Sequence, residues 1–388
     1  MHLREARNLK MARSAHAYVR GSTTRFYAWL TDSGARVPEG PPVWICGDCH
    51  MGNLGPLSDT RGRVAVQIRD LDQTVIGNPA HDLIRLGLSL ASEARGSGLA
   101  GGTTVKIVEQ LVAGYDLGLA GTASKGRQTD WAPKPIRRLL ELSTRRCWRH
   151  LAAERLQSVR PVVPLGKRFW AVTADERQSI EALFADHELH AAITHLQSRD
   201  ASEKVEVVDV AYWMKGCSSL GRLRYAVMLQ VGEGADQSLC LVDIKEATAA
   251  IAPRSTEAVM PRDNAARVVA GAQALSPHLG DRMVAARLMD RAVVIRELMP
   301  QDLKLEIDTL VDDEATQLAS YLAGVVGLAH RRQMDPDTLA RWQSELARAR
   351  SRTLDAPSWL WSSIVELIAI HESAYLDHCR QFALREAA

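Results

Sequence analysis

The chain has 388 residues, 46% of them hydrophobic and 24% charged, and its 48 Lys and Arg against 46 Asp and Glu leave a net charge of +2. That composition is an ordinary globular one, long enough for two or three lobes, and it lacks the basic surplus of a nucleic-acid binder. The first twenty residues carry charges every few positions without an apolar core. They do not read as a signal peptide, and the apolar helical stretch Tyr321–Ala329 is too short to span a bilayer. With six cysteines and no export signal, the chain reads as cytoplasmic with reduced thiols, partnered by neither membrane nor nucleic acid.

Residues 3–30 read as one helical region interrupted at Gly21-Ser22. A Pro/Gly-rich connector leads to the apolar run Val43–Ile45, a polar loop Cys46–Gly55 and a strand-like segment Arg63–Ile68. A second polar loop, Arg69–Pro79, opens into an amphipathic helix from Ala80 to about Arg95. Residues 101–200 read as almost wholly helical. The period then switches to strands at 205–214, 222–231 and 238–245, followed by a helix at 263–275. Two more strands, 283–289 and 292–298, flank a turn at Asp290-Arg291. From about Asp312 onward the chain is helical again, with Pro336 and Pro357 opening the last two helices.

The segment Gly47-Asp-Cys-His-Met-Gly-Asn53 places Asp48 five residues before Asn53 on a turn between strands. Phosphoryl transfer needs such a pair, a carboxylate for the attacking hydroxyl and an amide oxygen for Mg²⁺. A second carboxylate must hold the metal at the end of the next strand, where Arg69-Asp70-Leu-Asp72 stands. Asp70 is the first choice as metal ligand and Asp72 the close alternative. His50 either orients Asp48 or is a buried structural histidine. The same residues contain Cys46-x-x-Cys49-His50, a c-type haem attachment pattern, and a thiol redox pair or a zinc site is open to the same cysteines. The haem chemistry needs export, the redox pair lacks a helix between its cysteines, and zinc lacks two nominated ligands.

In the β-rich block, Gly216-Cys-Ser-Ser-Leu-Gly221 forms a glycine-rich hairpin whose Gly216, Ser218, Ser219 and Gly221 suit close approach to phosphates. The strand Leu239–Lys245 follows it and ends in a lysine suited to the α/β-phosphates. The next helix has no glutamate to hold Lys245, and Arg267 is its main charge. Backbone groups around Glu297 and Met299, at the end of the last strand, would face adenine. This glycine-rich lobe follows the catalytic loop instead of preceding it, an order that circular permutation explains.

Gly77-Asn-Pro-Ala-His-Asp-Leu83 resembles the Gly-Asp-Pro-x-x-Asp-Leu segment of aminoglycoside and choline phosphotransferases, where the residue seven before its glycine, here Asp70, is the metal ligand. The helix ending Leu328-Ala-His330 resembles the one that directly precedes their catalytic loop. The whole chain, through Tyr18-Val-Arg-Gly21, Gly47–Gly55, Asp70-Leu-Asp72, Asp82-Leu-Ile-Arg-Leu86, Gly221-Arg-Leu-Arg-Tyr225, Ile244-Lys-Glu-Ala247 and Arg296-Glu-Leu298, resembles the bacterial family called domain of unknown function 2252. It departs from that family at Gln73, where a glutamate is usual, and at Ala270, where one is common.

Together these features imply an α+β, two-lobed, circularly permuted kinase-like fold. Residues 1–204 and 301–388 form a large, mainly helical lobe, and 205–300 form a small five-stranded antiparallel lobe. The expected function is ATP- and Mg²⁺-dependent phosphotransfer to a small-molecule hydroxyl, with Asp82 and Arg85 buttressing the loop. The alternatives are adenylyl transfer or ATP-driven ligation on the same fold, and a nucleotide-binding pseudokinase with a regulatory role.

Overall fold

The first helical region is three helices, α1 (His2–Met11), α2 (Ala15–Gly21) and α3 (Thr23–Ser33), because Ser14 caps α2 by accepting from the Ala17 amide. The computed structural model describes residues 2–33, 37–121, 128–146, 162–166, 168–185, 189–190, 203–214, 221–233, 237–305, 311–348, 350 and 354–382. About half of the chain is helical and the whole is of mixed α+β class. No helix among the described residues is long and apolar enough to cross a membrane.

Two short antiparallel ribbons follow α3. Strand β1 (Val43–Ile45) pairs with β4 (Val75–Gly77), and β2 (Leu54–Ser58) pairs with β3 (Val64–Ile68). Both β2 and β4 fall in stretches that read as polar loop, since Gly55, Pro56 and Gly77 mask their strand character. Helix α4 (Pro79–Gly96) starts with Asn78 as its cap and Pro79 in its first turn, and it is buried on nearly every face. Against it pack α2, α5 (Gly101–Ala120) and two of the C-terminal helices, while the short α6 (Gln128–Trp131) and α7 (Lys134–Thr144) lie beside the β2–β3 ribbon. Helix α11 (Asp312–Arg331) lies so close to α5 that a side chain at Gly114 or Gly118 would overlap its backbone.

The other half is a six-stranded antiparallel sheet in the order β5-β6-β7-β8-β10-β9. Its strands are β5 (Phe169–Trp170), β6 (Val205–Trp213), β7 (Arg224–Val231), β8 (Ser238–Glu246), β9 (Met283–Leu288) and β10 (Arg291–Glu297). Five of these match expectation and the sixth, β5, does not. It is two residues long and lies in a stretch that reads as helical, and tertiary pairing with Trp213 and Tyr212 makes it a strand. Side chains alternate along β7: Tyr225, Val227 and Leu229 share a core with Ile180 and Phe184 of α8 (Ala174–Phe184), while Ala226 and Met228 face Phe169, Trp213 and Leu298. The β9–β10 turn is Met289-Asp290, with φ of 48° and 62°, one residue earlier than the sequence suggests. Helices α9 (Asn264–Leu275) and α10 (Pro277–Gly280) join the sheet to the helical body, which α12 (Pro336–Arg348) and α13 (Ser358–Phe382) complete.

Candidate functional site

The loop from Cys46 to Asn53 is held by its neighbours' side chains. Gly47 has φ of 74° and a Cβ there would overlap the Gln73 carbonyl, so only glycine fits. The buried Asp82 carboxylate accepts from the Cys46 amide at 2.7 Å and the Gly47 amide at 3.0 Å. Behind it runs a buried relay: His330 Nε2 lies 3.3 Å from Asp82, His330 Nδ1 lies 2.8 Å from the Tyr115 hydroxyl, and Trp342 Nε1 donates to that hydroxyl at 3.2 Å. Asp82 thus ties the loop to α5, α11 and α12.

Asp48 is fixed by two donors. Arg85 Nε reaches Oδ1 at 2.9 Å and Thr23 Oγ1 reaches Oδ2 at 2.9 Å, while Arg85 Nη2 donates to the Val19 carbonyl at 2.7 Å. Burial raises the Asp48 pKa, against the opposing pull of Arg85 and Thr23. Asn53 spends Nδ2 on the Asp48 carbonyl at 2.9 Å, which leaves its Oδ1 as the donor a metal could use. His50 touches Asp48 through the main chain, its amide donating to the Asp48 carbonyl at 2.9 Å. Its ring is buried and Nδ1 has no partner among the described residues; burial, followed by the charges of Arg20 and Arg85, holds its pKa well below the ordinary value.

The β2–β3 ribbon brings the acidic segment alongside. Leu54 pairs with Ile68 and the Arg69 amide donates to the Asn53 carbonyl at 2.7 Å, so Asp70 follows directly at the same end of the ribbon. Lys245, at the end of β8, supplies the contact that joins the two halves. Its Nζ lies 2.5 Å from Asp72 Oδ2 and 3.4 Å from Asp70 Oδ1. Burial raises the Asp70 pKa, but Lys245 and then Arg296 outweigh it and the carboxyl sits below its usual range. Asp72 is raised, by burial and then by the charge of Asp70. The lysine that lacks a helix glutamate therefore has the two aspartates as its partners.

Arg267 takes another role on the helix where that glutamate was sought. It donates to the main-chain carbonyls of Asp72 at 3.0 Å, Thr248 at 2.9 Å, and Thr74, pinning the acidic turn. Nearby, Arg224 forms a two-point pair with buried Asp243 at 2.6 and 3.0 Å, and Arg296 lies 3.4 Å from the same carboxylate. Sequence reasoning missed Thr23, Asp243 and the anchoring use of Arg267.

Asp70, Asp72 and Lys245 line a cleft with Arg69, Arg296 and Met283. Its enclosed space is about 30 Å³, room for one water. Of the expected phosphate hairpin, Gly216, Ser218 and Ser219 lie outside the described residues; Gly221 is a turn glycine with φ of 86°, and no atom of the described residues lies within 4 Å of a Cβ placed on it. At the expected adenine edge, the Glu297 carbonyl accepts from Arg282 at 2.9 Å and the Met299 carbonyl from the Asp302 amide at 3.0 Å.

The donor set of Asp70, Asp72 and the Asn53 amide oxygen is all hard oxygen, which suits Mg²⁺. Cys46, Cys49 and Asp82 also come together, their ligand atoms within 4.8 Å of one another. That set does not suit a metal, since both Asp82 oxygens already accept main-chain donors. Nor do its thiols suit redox attack: both are fully buried, and the Cys49 hydrogen bond and then burial raise the Cys46 pKa.

No curated protein and no solved structure matches the chain. A protein-family model, described as uncharacterized protein conserved in bacteria (DUF2252), matches residues 2–381. That match spans nearly the full length, and the chain belongs to this bacterial family.

Proposed function

We propose that the protein is an ATP- and Mg²⁺-dependent phosphotransferase on a circularly permuted kinase-like fold, acting on a hydroxyl of a small molecule. The observation that carries this reading is the meeting of Lys245 with Asp70 and Asp72, 175 residues apart in the chain for the Asp70 contact. It occurs beside the loop that presents Asp48 and Asn53. A strand lysine, a metal-type carboxylate pair and a candidate base next to an amide oxygen are the parts phosphoryl transfer needs.

In this reading Asp48 accepts or orients the proton of the attacking hydroxyl. Arg85 and Thr23 hold both of its oxygens, so the carboxylate is aimed before substrate arrives. Mg²⁺, when bound by Asp70, Asp72 and Asn53, would neutralise charge on the transferring phosphate. Lys245 exchanges its aspartates for phosphate oxygens as the cleft opens, and Arg267 keeps the acidic turn in place. The test is thermal stabilisation by a non-hydrolysable ATP analogue with and without Mg²⁺. At about 100 times Kd the native state gains roughly 2.7 kcal/mol. No stabilisation at millimolar analogue sinks the reading.

One observation favours a second reading, a nucleotide-binding regulatory module without turnover. The helix after Lys245, α9, carries no glutamate to clamp that lysine for turnover. Mg²⁺-dependent analogue binding with no phosphate released or transferred from ATP would select it.

A further inference from the structure

The face of the Asp48 loop turned toward α2 carries a positive charge with no counterion. Arg20, in the last turn of α2, is half-buried, and no carboxylate lies within ion-pair distance of it among the described residues. It lies against the catalytic loop: a Cβ built on Gly52 would sit 3.1 Å from Arg20 Cζ and 3.2 Å from its Nε and Nη2. Gly52 is therefore a notch that seats the guanidinium on the loop backbone. The nearby carboxylates have neighbours of their own. Asp48 is paired with Arg85 at 2.9 Å, and His16 lies 3.0 Å from Glu93. Two residues before the notch, His50 has a buried Nδ1 without a partner, and Arg20 is the strongest single charge acting on that ring.

A partly buried arginine with no carboxylate beside it is free to receive an anionic ligand. A planar guanidinium offers paired N–H donors that match the oxygens of phosphate or carboxylate. The position relative to Asp48 assigns the ligand. Val19, the neighbour of Arg20, receives the Arg85 hydrogen bond, and Thr23 one turn on touches the Asp48 carboxylate.

We infer that Arg20, seated on Gly52 beside His50, is an oxyanion-binding subsite that recognises a phosphate or carboxylate group on the acceptor whose hydroxyl Asp48 serves. The assignment of that ligand as the acceptor rests on the phosphotransferase reading; the oxyanion site itself does not. The acceptor class is thus an anionic alcohol, a sugar phosphate or hydroxy acid in kind. Arg20 supplies charge and orientation.

The test is calorimetric titration of the full chain with inorganic phosphate and, separately, acetate, at constant ionic strength and with the ATP analogue saturating. Wild type is expected to bind one of the two anions. Arg20→Gln weakens that binding by about tenfold to a hundredfold, the value of a lost charge-assisted bond, while analogue affinity stays unchanged. Gly52→Ala, which leaves every charge in place but crowds the guanidinium, weakens the anion in the same direction. A phosphate preference points to a phosphorylated alcohol and an acetate preference to a hydroxy acid. Anion binding that Arg20→Gln leaves intact, or no anion binding in a wild type with a normal melting transition, overturns the subsite. If Arg20-dependent anion binding persists but the analogue never binds, the subsite stands and the phosphotransferase reading falls.

Discussion

Lys245 Nζ stands 2.5 Å from Asp72 Oδ2, and the same ammonium reaches Asp70 Oδ1 at 3.4 Å. One cation from the sheet thereby holds two like charges of the acidic turn side by side. Replacing it with an isosteric apolar residue, Lys245→Met, leaves the pair to repel. Because the group is partly exposed, the cost is expected at about 1–3 kcal/mol, below the figure for a fully buried pair. The two aspartates then raise each other's pKa, so the loss is largest at neutral pH and shrinks as pH falls and one of them protonates. Urea midpoints at pH 7 and pH 5 measure both effects. An equal loss at both values speaks against an electrostatic origin. Nucleotide analogue affinity should fall in the same variant.

The two aspartates differ in exposure and in their hold on the lysine. Asp70 is 43% exposed, whereas Asp72 is 25% exposed and is the nearer partner of Lys245. Asp70→Asn is therefore expected to remove the Mg²⁺ dependence of analogue binding. Asp72→Asn is expected to keep that dependence while loosening Lys245. A magnesium titration of analogue affinity in both variants decides between them, and retention of the full dependence in Asp70→Asn would move the metal to Asp72.

Asp48 is expected to matter for turnover more than for binding. Asp48→Asn keeps its size and its contact with Thr23, so analogue binding should persist, while phosphate transfer or ATP hydrolysis should fall by about 10²–10⁴-fold, the range of a lost general base. Removing the partner instead, in Arg85→Met, leaves a mostly buried carboxylate with Thr23 as its one side-chain donor and costs about 2–4 kcal/mol of stability, discounted for its partial exposure. Kinetics of the first variant and denaturation of the second separate the two roles; equal loss of folding in both would place Asp48 in the scaffold.

What the sequence made legible was mainly local. Asp48, Asn53 and Asp70 could be proposed together because one short ribbon, Leu54–Ile68, fixes their separation. Lys245 stood out because an apolar strand ends on it. Thr23 could not be found, since its contact with Asp48 spans 25 residues and a threonine at a helix start is usually just a cap. Arg267 was visible as the charge of its helix, but its use on the Asp72 carbonyl, 195 residues away, depends on how α9 docks. The strands β2 and β4 hid behind Gly55, Pro56 and Gly77, which are tolerated because each ribbon has only two strands and so only edges. The missing lysine partner illustrates the same limit: a fixed template looked for a helix glutamate, and packing supplied two aspartates from the neighbouring turn.

The relay behind the loop has its own signature. Tyr115 Oη sits between His330 Nδ1 at 2.8 Å and Trp342 Nε1 at 3.2 Å, all three residues buried. Tyr115→Phe removes the shared oxygen and strands two buried polar atoms, a cost of about 1–3 kcal/mol for each group left unsatisfied. The double variant Tyr115→Phe with Trp342→Phe should recover part of the loss, because the stranded indole N–H is gone. Additive losses would show that the two side chains do not share that hydroxyl.

Acid sensitivity above the carboxylate range should come from buried histidines. Burial holds the pKa of His81 and of His371 down to about 4, and pushes His50 well down as well. In the unfolded chain a histidine protonates near pH 6.5. Between about 6.5 and 4 the unfolded state therefore binds more protons than the native one, and stability rises with pH across that window. As pH falls through it, each such histidine removes up to about 1.4 kcal/mol per pH unit. His371 is a suitable probe, since it is 1% exposed, its Nδ1 lies 2.8 Å from the Leu367 carbonyl, and burial, then the charge of Arg85, hold its pKa down. His371→Gln is expected to lower stability at pH 7 but to flatten the dependence between pH 6.5 and 4.5 by one histidine's share. Urea denaturation at half-unit pH steps reads the slope directly. A slope identical to wild type would mean that His371 is not held neutral in the folded protein.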